Sequence, residues 1–358
     1  MPTTDRRIVR DPEGLNTGTW PVPADQFVTP TDDFFTRSHA PVPHVALGAW
    51  RLEVAGLVER PMSFDFDELH RRFPAREITA TLVCAGLRRD EFLSLGPLPG
   101  ELPWGPEPVS TGRWTGVSLR HLLDAVGVAE GARYVEFVGL DQVERQGRRF
   151  GFGGSIDLAK ALSAEALLAS GLNGAPLPPA HGFPLRAVVP GWIGARSVKW
   201  LGRITLRADP SPNYFQRQAY RVQREVNPDD PRDVSAGIAL SEVPLNAVIL
   251  DPVPGQVVRA GRVGVRGWAM GPAGGPLGAV ELSADGGKDW TPARLAASAS
   301  GWAWTLWDGE LELPPGTHEL VVRAADRAGT SQPAQVAETW NVKGYGNNAW
   351  HRVPVRVA

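Results

Sequence analysis

The last third of the chain is a series of short apolar segments separated by turn residues, and this pattern restricts what it can fold into. From Leu245 onwards, apolar and polar residues alternate, as in the segment from Val263 to Trp268. Turn sequences such as Asp285-Gly286-Gly287 and Pro314-Pro315-Gly316 separate these segments. Many short strands with turns at this spacing predict an immunoglobulin-like β-sandwich.

A polar stretch from Asp229 to Ser241 precedes the sandwich and predicts a domain boundary. The length of 358 residues is sufficient for two domains of ordinary size. We therefore predict a first domain at 1–240 and a second at 241–358. Residues 1–30 are polar and rich in proline, and we expect them to form an extended arm over the surface.

The first domain mixes the two kinds of secondary structure. Trp50 to Val54 alternates like a strand, whereas Leu119, Leu122, Leu123 and Val126 follow a helical spacing that Gly127 would end. A further helix is predicted from Leu158 to Leu168. The whole chain is therefore predicted to be α+β, with a mixed α/β domain followed by the sandwich.

Charge and hydropathy exclude several classes of partner. With a net charge of −2 the chain lacks the excess of positive charge that is typical of nucleic-acid-binding proteins. No apolar run in the sequence is long enough to span a membrane. Because no apolar stretch follows the pair Arg6-Arg7, the N-terminus as it stands is neither a secretory nor a twin-arginine signal. We expect a cytoplasmic protein, or a periplasmic one if an export signal has been removed.

Cys84 is the only cysteine, so it cannot form an intramolecular disulfide. An apolar run leads into it, Gly86 allows a sharp turn, and Arg88 and Arg89 follow at once. Guanidinium groups beside a thiol favour the thiolate, which is the form that binds soft metals. Most free cysteines, however, are buried as small apolar residues. The residues alone therefore leave a structural cysteine and a metal ligand both open.

Basic residues interrupt an apolar, glycine-rich stretch at 181–201, and no acidic residue lies between positions 181 and 199. Basic side chains are rare on buried strands unless they are paired. A buried anionic ligand would explain the pattern, and pairing with distant carboxylates would explain it equally well. The basic residues are His181, Arg186, Arg196 and Lys199.

Several motifs, in this order along the chain, resemble those of the sulfite oxidase family of molybdopterin-dependent enzymes. Residues 34–43 resemble its Phe-Phe-x-Arg-x-His-x-Pro-x-Pro stretch, with Ser38 in place of the usual asparagine. Cys-Ala-Gly-x-Arg-Arg at 84–89 resembles the family's metal-binding motif, with Leu87 where asparagine is usual. The stretch 181–201 is the longest match, and the resemblance extends from about Phe34 to the C-terminus.

The resemblance implies a role for each matching residue. Cys84 would bind molybdenum beside the dithiolene of one molybdopterin. The residues expected to contact molybdopterin are His39, Ser155, His181, Arg186, Arg196, Ser197 and Lys199. Those expected around the substrate anion are Arg37, Arg89, Trp114, Tyr220 and Lys343.

Several of these assignments have a simpler alternative. Arg37 and His39 could be solvated polar residues of a loop. Ser155 could be a plain N-cap, and Trp114 could be a packing residue, because the chain has 13 tryptophans. The family pattern aromatic-Gln-x-x-x-Tyr selects Tyr220.

Tyr214 and Lys343 are compared with the family pattern in the same way. Tyr214 is assigned to packing, since the aromatic pattern selects the later tyrosine. Lys343 stands where vertebrate members have arginine, and it offers charge without bidentate geometry.

The resemblance implies oxidation of sulfite to sulfate by oxygen-atom transfer. The chain shows no haem-binding module, so we expect a separate electron acceptor such as a cytochrome, and we expect a homodimer formed through residues 245–358. Two alternatives stay open: the molybdenum domain of a eukaryotic-type nitrate reductase, and a degenerate member that binds the cofactor without turnover.

Overall fold

The computed structural model describes residues 6–231, 233–297 and 300–358. Strands dominate both parts of this described chain, and its helices are short. Frequent glycine and proline, 40 and 33 residues respectively, account for the short elements because both residues interrupt helices.

The first part of the chain contains strands that form two main sheets. The strands are β1 (Arg7–Val9), β2 (Thr17–Thr19), β3 (Leu52–Gly56), β4 (Met62–Phe64), β5 (Ala75–Val83), β6 (Val109–Ser118), β7 (Tyr134–Gly139), β8 (Val143–Arg145), β9 (Arg148–Phe150), β10 (Gly153–Asp157), β11 (Leu167–Leu172), β12 (Ala175–Pro176), β13 (Arg186–Val188), β14 (Leu201–Arg207), β15 (Arg221–Val222) and β16 (Ile238–Ala239). The helices are α1 (Phe66–Arg72), α2 (Leu119–Val126), α3 (Leu158–Ala161) and α4 (Tyr214–Arg217). Short 3₁₀ turns lie at Thr31–Asp33, Leu47–Ala49, Arg89–Ser94, Pro179–His181 and Gly194–Arg196.

The two sheets enclose the main core of the first domain. One sheet has the order β10-β7-β14-β3-β4, with β14 and β3 parallel, and the other has the order β12-β11-β6-β5, with β13 paired to β11. Helix α2 turns its predicted apolar face into this core, since all four of its periodic residues are buried. Gly127 follows with a φ of 69°, a conformation that glycine adopts without steric cost, so the predicted helix and its end are both correct.

One predicted helix is wrong. The sequence pattern predicted a helix from Leu158 to Leu168, but α3 ends at Ala161 and Leu167 already belongs to β11. Leu167 and Leu168 pair with β6 on one side and β13 on the other, and both are buried. Tertiary pairing with two neighbours therefore overrides the local helical spacing.

The second part of the chain is a sandwich of two antiparallel sheets, apart from one short parallel pairing. Its strands are β17 (Asn246–Asp251), β18 (Val257–Val258), β19 (Gly261–Met270), β20 (Leu277–Ser283), β21 (Thr291–Pro292), β22 (Arg294–Leu295), β23 (Thr305–Leu313), β24 (Gly316–Asp326) and β25 (His351–Val357), with 3₁₀ turns at Pro272–Gly274 and Val336–Thr339. The sheet orders are β17-β19-β23-β22 and β18-β25-β24-β20-β21. Residues from both sheets, such as Val265 and Val322, form one core, and the predicted α+β fold with a terminal sandwich is confirmed.

The two domains share a buried apolar contact beside the loop that carries Cys84. Trp268 and Trp304 stack with ring centroids 5.9 Å apart, and they belong to the same buried cluster as Val83 and Leu87. Because this cluster lies directly under the loop, the sandwich helps to hold the segment that follows β5.

The expected extended arm at 1–30 differs from the observed structure, and residues 1–5 lie outside the described residues. Strands β1 and β2 pair in antiparallel fashion, and Thr17 exchanges two backbone hydrogen bonds with Thr36 at 3.1 and 2.8 Å. Asn16 and Thr19 are buried. Pairing with the segment around Thr36 draws this region into the protein, so it contributes to the site described below.

In the part of the chain that the structure describes, none of the helices has the length and apolar character needed to cross a membrane.

Candidate active site

Cys84 directly follows β5 and begins a tight turn. Its carbonyl accepts the amide of Leu87 at 3.1 Å, and its Sγ accepts the amide of Gly86 at 3.5 Å. A Cβ at Gly86 would lie 2.7 Å from the guanidinium carbon of Arg89, so a larger residue there would displace the Arg89 side chain. A single parallel bridge between Val83 and Ile193 brings the glycine-rich loop of the 181–201 stretch next to this turn.

Cys84 lines a cavity with about 700 Å³ of empty space, open solvent included, which we call the Cys84 cavity. The polar residues around it include the cations Arg37, Arg186 and Lys199 and a single carboxylate, Asp141. The remaining side chains that bear on its chemistry are Ser38, His39, His181, Ser197, Trp200 and Tyr220. Positive charge therefore exceeds negative charge in the lining, which suits an anionic ligand.

Arg186 and Lys199 are held in place by backbone carbonyl groups rather than by carboxylates. Arg186 donates to the carbonyls of His181 and Ser197 at 2.9 Å each, and burial lowers its pKa to about 9. Lys199 donates to Ser38 Oγ at 2.7 Å and to the carbonyl of Ala180 at 2.9 Å. Burial and the charge of Arg186 lower the pKa of Lys199 well below its usual value. An anion in the cavity would offset the cost of burying both groups.

Both histidines in the lining are neutral near pH 7. Burial is the main cause, with Arg186 and Lys199 adding to it, and together they lower the pKa of His181 to about 3. Burial and the charge of Arg37 lower the pKa of His39 well below 6.5. Each ring can therefore present one donor and one acceptor to a polar ligand.

Three residues connect the Cys84 cavity with the exterior. Arg37, His39 and Tyr220 line both the Cys84 cavity and an open cleft of about 1580 Å³, which we call the outer cleft. Lys343 and Tyr345 of the second domain lie on the cleft side. The site is therefore built by both domains.

A chain of hydrogen bonds connects these three residues. Arg37 Nη2 lies 3.4 Å from His39 Nδ1, and His39 Nε2 lies 2.9 Å from the hydroxyl of Tyr220. Because arginine can only donate, Nδ1 accepts and Nε2 carries the proton that is donated to Tyr220. The hydroxyl hydrogen of Tyr220 is then left for a third partner. Burial raises the pKa of Tyr220 to about 12, so it stays protonated at neutral pH.

The thiol of Cys84 differs from the sequence-based expectation that nearby arginines favour the thiolate. Burial raises its pKa, and this effect exceeds the opposite influence of Arg89, of the Gly86 amide and of Arg37. In the protein alone the thiol form is favoured, because desolvation disfavours a charged sulfur more than these neighbours stabilise it.

Four predicted site residues line neither cavity: Trp114, Ser155, Arg196 and Arg89. Trp114 is fully buried, donates to the carbonyl of Ala80 at 3.2 Å, and lies under the guanidinium of Arg186 at 5.0 Å. It packs against Arg186 and does not line the Cys84 cavity. The tryptophan that does line the Cys84 cavity is Trp200.

Ser155 and Arg196 also lie behind the cavity wall. The hydroxyl of Ser155 accepts the amide of Ser211 at 3.0 Å. Arg196 donates to the carbonyls of Phe215 and Leu240 at 3.3 and 2.9 Å, and burial lowers its pKa to about 10. Both side chains therefore join neighbouring segments, whereas Ser197 beside Arg196 does reach the cavity.

Arg89 and Lys343 lie close to the predicted substrate region, but neither lines the Cys84 cavity. Arg89 is buried, its Nε donates to the carbonyls of Lys343 and Gly344, and its Nη1 donates to the carbonyl of Leu102. Its guanidinium is therefore used to hold other segments, and of the two predicted anion-binding arginines only Arg37 faces the cavity. Lys343 lines the outer cleft.

Sequence reasoning missed several residues of the site. Asn16 Oδ1 accepts from Arg37 Nη1 and from the amide of Ser38, both at 3.0 Å, and thereby fixes the direction of Arg37. Asp141 accepts the amide of Phe152 at 2.9 Å, and burial raises its pKa. Neither residue belongs to a recognisable motif. Trp200 directly follows Lys199, and its adjacency to the basic stretch was the one available signal.

Comparison with known proteins gives the family. The model of the oxidoreductase molybdopterin binding domain matches residues 39–215, and that of the Mo-co oxidoreductase dimerisation domain matches residues 238–358. Sulfite oxidase of Gallus gallus is 41% identical over 92% of this chain and 73% of its own length. The mitochondrial sulfite oxidase of Homo sapiens is 39% identical over 93% of this chain but only 62% of its own length.

Two other relatives extend this comparison. The inducible nitrate reductase [NADH] 2 of Glycine max is 36% identical over 92% of this chain and 39% of its own length. The structure of the sulfane dehydrogenase SoxCD from Paracoccus pantotrophus superposes with a TM-score of 0.79 at 27% identity, covering 95% of this chain and 84% of that one. Together with the cysteine-lined cationic cavity, these matches show that the chain belongs to the sulfite oxidase family of molybdopterin-dependent oxidoreductases.

Proposed function

We propose that this chain oxidises sulfite to sulfate with a molybdenum–molybdopterin cofactor in the Cys84 cavity. The observation that carries the proposal is the cavity itself: a lone thiol in a lining with three cations and one carboxylate, which shares Arg37, His39 and Tyr220 with the open outer cleft. The balanced half-reaction converts sulfite and water into sulfate, two protons and two electrons.

The residues present fit the cofactor. Cys84 offers the soft ligand that molybdenum prefers. Arg186 and Lys199 would meet the anionic part of the pterin compound, while His39, His181 and Ser197 offer neutral hydrogen-bonding groups. When bound, the cofactor supplies the oxygen-atom transfer and accepts the two electrons; the protein supplies position and charge.

The substrate anion would interact with the three residues that line both the Cys84 cavity and the outer cleft. Arg37 is fixed by Asn16 Oδ1 and by the carbonyl of Ser38 at 2.6 Å, so its charge is directed without a competing carboxylate. A charge-assisted hydrogen bond from Arg37 would orient a small oxyanion. Tyr220 would donate its remaining hydroxyl hydrogen to the same anion, because His39 already donates to the tyrosine oxygen.

We place the electron acceptor outside this chain and expect a small redox carrier such as a cytochrome. We also expect a homodimer, which the match of residues 238–358 to the dimerisation domain supports. Reduction of nitrate is a second candidate activity, since the chain is 36% identical to a nitrate reductase over 92% of its length.

Metal analysis and sulfite-dependent reduction of a dye test the proposal. We expect about one molybdenum and one molybdopterin per chain, with dye reduction that requires sulfite. Cys84→Ser should retain the pterin and lose turnover, because a hydroxyl is a poor ligand for a soft metal. A molybdenum-loaded protein that reduces dye with no dependence on sulfite would refute the proposed substrate, and an active Cys84→Ser variant would remove Cys84 from the metal.

A further inference from the structure

Glu101 reaches the outer cleft from the loop before β6 and stands between two cations. Its Oε1 lies 3.3 Å from Lys343 Nζ, and its Oε2 lies 3.4 Å from Arg89 Nη2. The side chains of Glu101 and Lys343 are only 14% and 12% exposed, so water screens this contact little. Both residues line the outer cleft, beside Arg37 and Tyr220.

The two cations hold Glu101 in different ways. Arg89 is 4% exposed and is fixed by three backbone carbonyls, so it acts as a rigid anchor for the carboxylate. Lys343 faces the cleft, and its flexible ammonium group could pair with any anion that arrives there. In the structure this ammonium group is paired with Glu101. An oxyanion entering the cleft therefore meets a lysine whose charge is already balanced.

We propose that Glu101 sets the anion selectivity of the outer cleft by competing with incoming anions for Lys343. Glu101 occupies Lys343 and repels every anion that approaches it, and it repels a dianion of the sulfite or sulfate type twice as strongly as a monoanion such as nitrate. Glu101 thus weakens the binding of all anions and weakens the binding of dianions most. The inference uses the proposed function only to identify sulfite as the substrate, and the competition itself is a property of the cleft.

The test measures the binding of sodium sulfate and of sodium nitrate to the cofactor-loaded protein by titration calorimetry. Glu101→Gln keeps the size of the side chain and removes its charge, which frees Lys343. The dissociation constant for sulfate should fall by roughly three- to tenfold, the range expected for one partly buried ionic contact. The constant for nitrate should fall by a smaller factor, because the carboxylate repels a monoanion half as strongly, so that the preference for sulfate over nitrate widens.

Asp233→Asn is the matched control. Asp233 lines the same cleft, and its side chain accepts the amide of Ser235 at 2.9 Å, which asparagine can still do. Asp233 also feels the charge of Lys343, but the ion pair of Lys343 is formed with Glu101, so the variant removes a nearby negative charge and leaves that ion pair intact. Equal gains in anion affinity for both variants would show a general charge effect and would overturn the specific role of Glu101.

A second pair of variants separates the contact from folding effects. Lys343→Gln should weaken sulfate binding, and Glu101→Gln should give no further gain in that background. If Lys343→Gln binds sulfate as the native protein does, Lys343 is not the contested cation and the inference is refuted, even if Glu101→Gln does not fold. Sulfite-dependent dye reduction by the native protein is measured separately. If the native protein does not reduce the dye but the variants change sulfate binding as expected, only the proposed activity is refuted. If the native protein turns over sulfite but the variants leave sulfate binding unchanged, only the inference about Glu101 is refuted.

Discussion

Replacing Arg88 with methionine tests how firmly the sandwich holds the loop of Cys84. The Arg88 side chain is fully buried, and its guanidinium group donates to two domains at once. Within its own loop it donates to Glu91 at 2.6 and 2.9 Å. Across the domain boundary it donates to Asn246 Oδ1 at 3.0 Å and to the carbonyls of Ala349 and Trp350 at 2.8 and 3.2 Å.

The expected loss of stability follows from these contacts. Methionine fills much of the same space but removes one donor each from two carbonyls, one amide oxygen and the Glu91 carboxylate. Removing one partner of a buried ion pair costs about 3–5 kcal/mol. Glu91 is 27% exposed and keeps a hydrogen bond from Asn347, so we expect the lower end of that range, about 3 kcal/mol.

Urea unfolding followed by tryptophan fluorescence measures this change. Arg266→Met is the matched control, because Arg266 pairs with Asp251 on the surface, where the two side chains are 52% and 38% exposed. Its cost should stay below about 1 kcal/mol. Loss of the interdomain contacts should also separate the unfolding of the two domains into two transitions. Equal, small effects of both substitutions and a single unchanged transition would show that Arg88 does not hold the domains together.

Three other expectations concern substrate, assembly and pH. Arg37→Gln should raise the KM for sulfite by roughly ten- to a hundredfold, because a charge-assisted hydrogen bond is worth about 1.5–3 kcal/mol. Tyr220→Phe removes a neutral hydrogen bond and should change the KM less. Equal KM values for the two variants in steady-state kinetics would contradict this expectation. Light scattering at micromolar concentration should give a dimer that forms through residues 245–358, and a monomer would contradict it. Burial and the charge of Arg88 lower the pKa of His351. Below about pH 6.5 the unfolded chain therefore binds a proton that the folded chain does not. The free energy of unfolding should consequently fall with decreasing pH, by up to about 1.4 kcal/mol per pH unit. His351→Asn, whose Oδ1 can accept the amide of Ile249 in place of Nδ1, should reduce that slope in urea titrations between pH 5 and 7; an unchanged slope would exclude His351 as its source.

The features that the sequence predicted well depend on spacing along the backbone. The sandwich follows from alternation and turns, and α2 follows from four apolar residues at helical intervals before Gly127. The glycine-rich stretch 181–201 reaches the Cys84 cavity because strands β13 and β14 fix where its connecting loop emerges. Such properties are local, and the residues that determine them are neighbours in sequence.

Apart from the helix at 158–168 and the N-terminal arm, the errors concern the site and the direction or state of single side chains, which spacing does not determine. Arg196 and Ser197 are adjacent in one turn, yet only Ser197 reaches the cavity, because Arg196 donates to the carbonyls of Phe215 and Leu240 on its other side. The state of Cys84 was misjudged for a related reason. Counting nearby arginines predicted a thiolate, but the cost of burying charge depends on the whole surroundings of the sulfur, which only the folded structure gives.

The second domain contributes to the site through two adjacent arginines rather than through residues of its own core. Arg88 donates to the carbonyls of Ala349 and Trp350, and Arg89 donates to those of Lys343 and Gly344. Both arginines follow Cys84 within five residues, so the turn that carries the thiol is attached to the same C-terminal segment at two points. That segment places Lys343 and Tyr345 on the outer cleft. Any displacement of the sandwich should therefore move the thiol turn and the cleft wall together, and under the proposed function the association of the two domains would help to determine how an anion reaches Cys84.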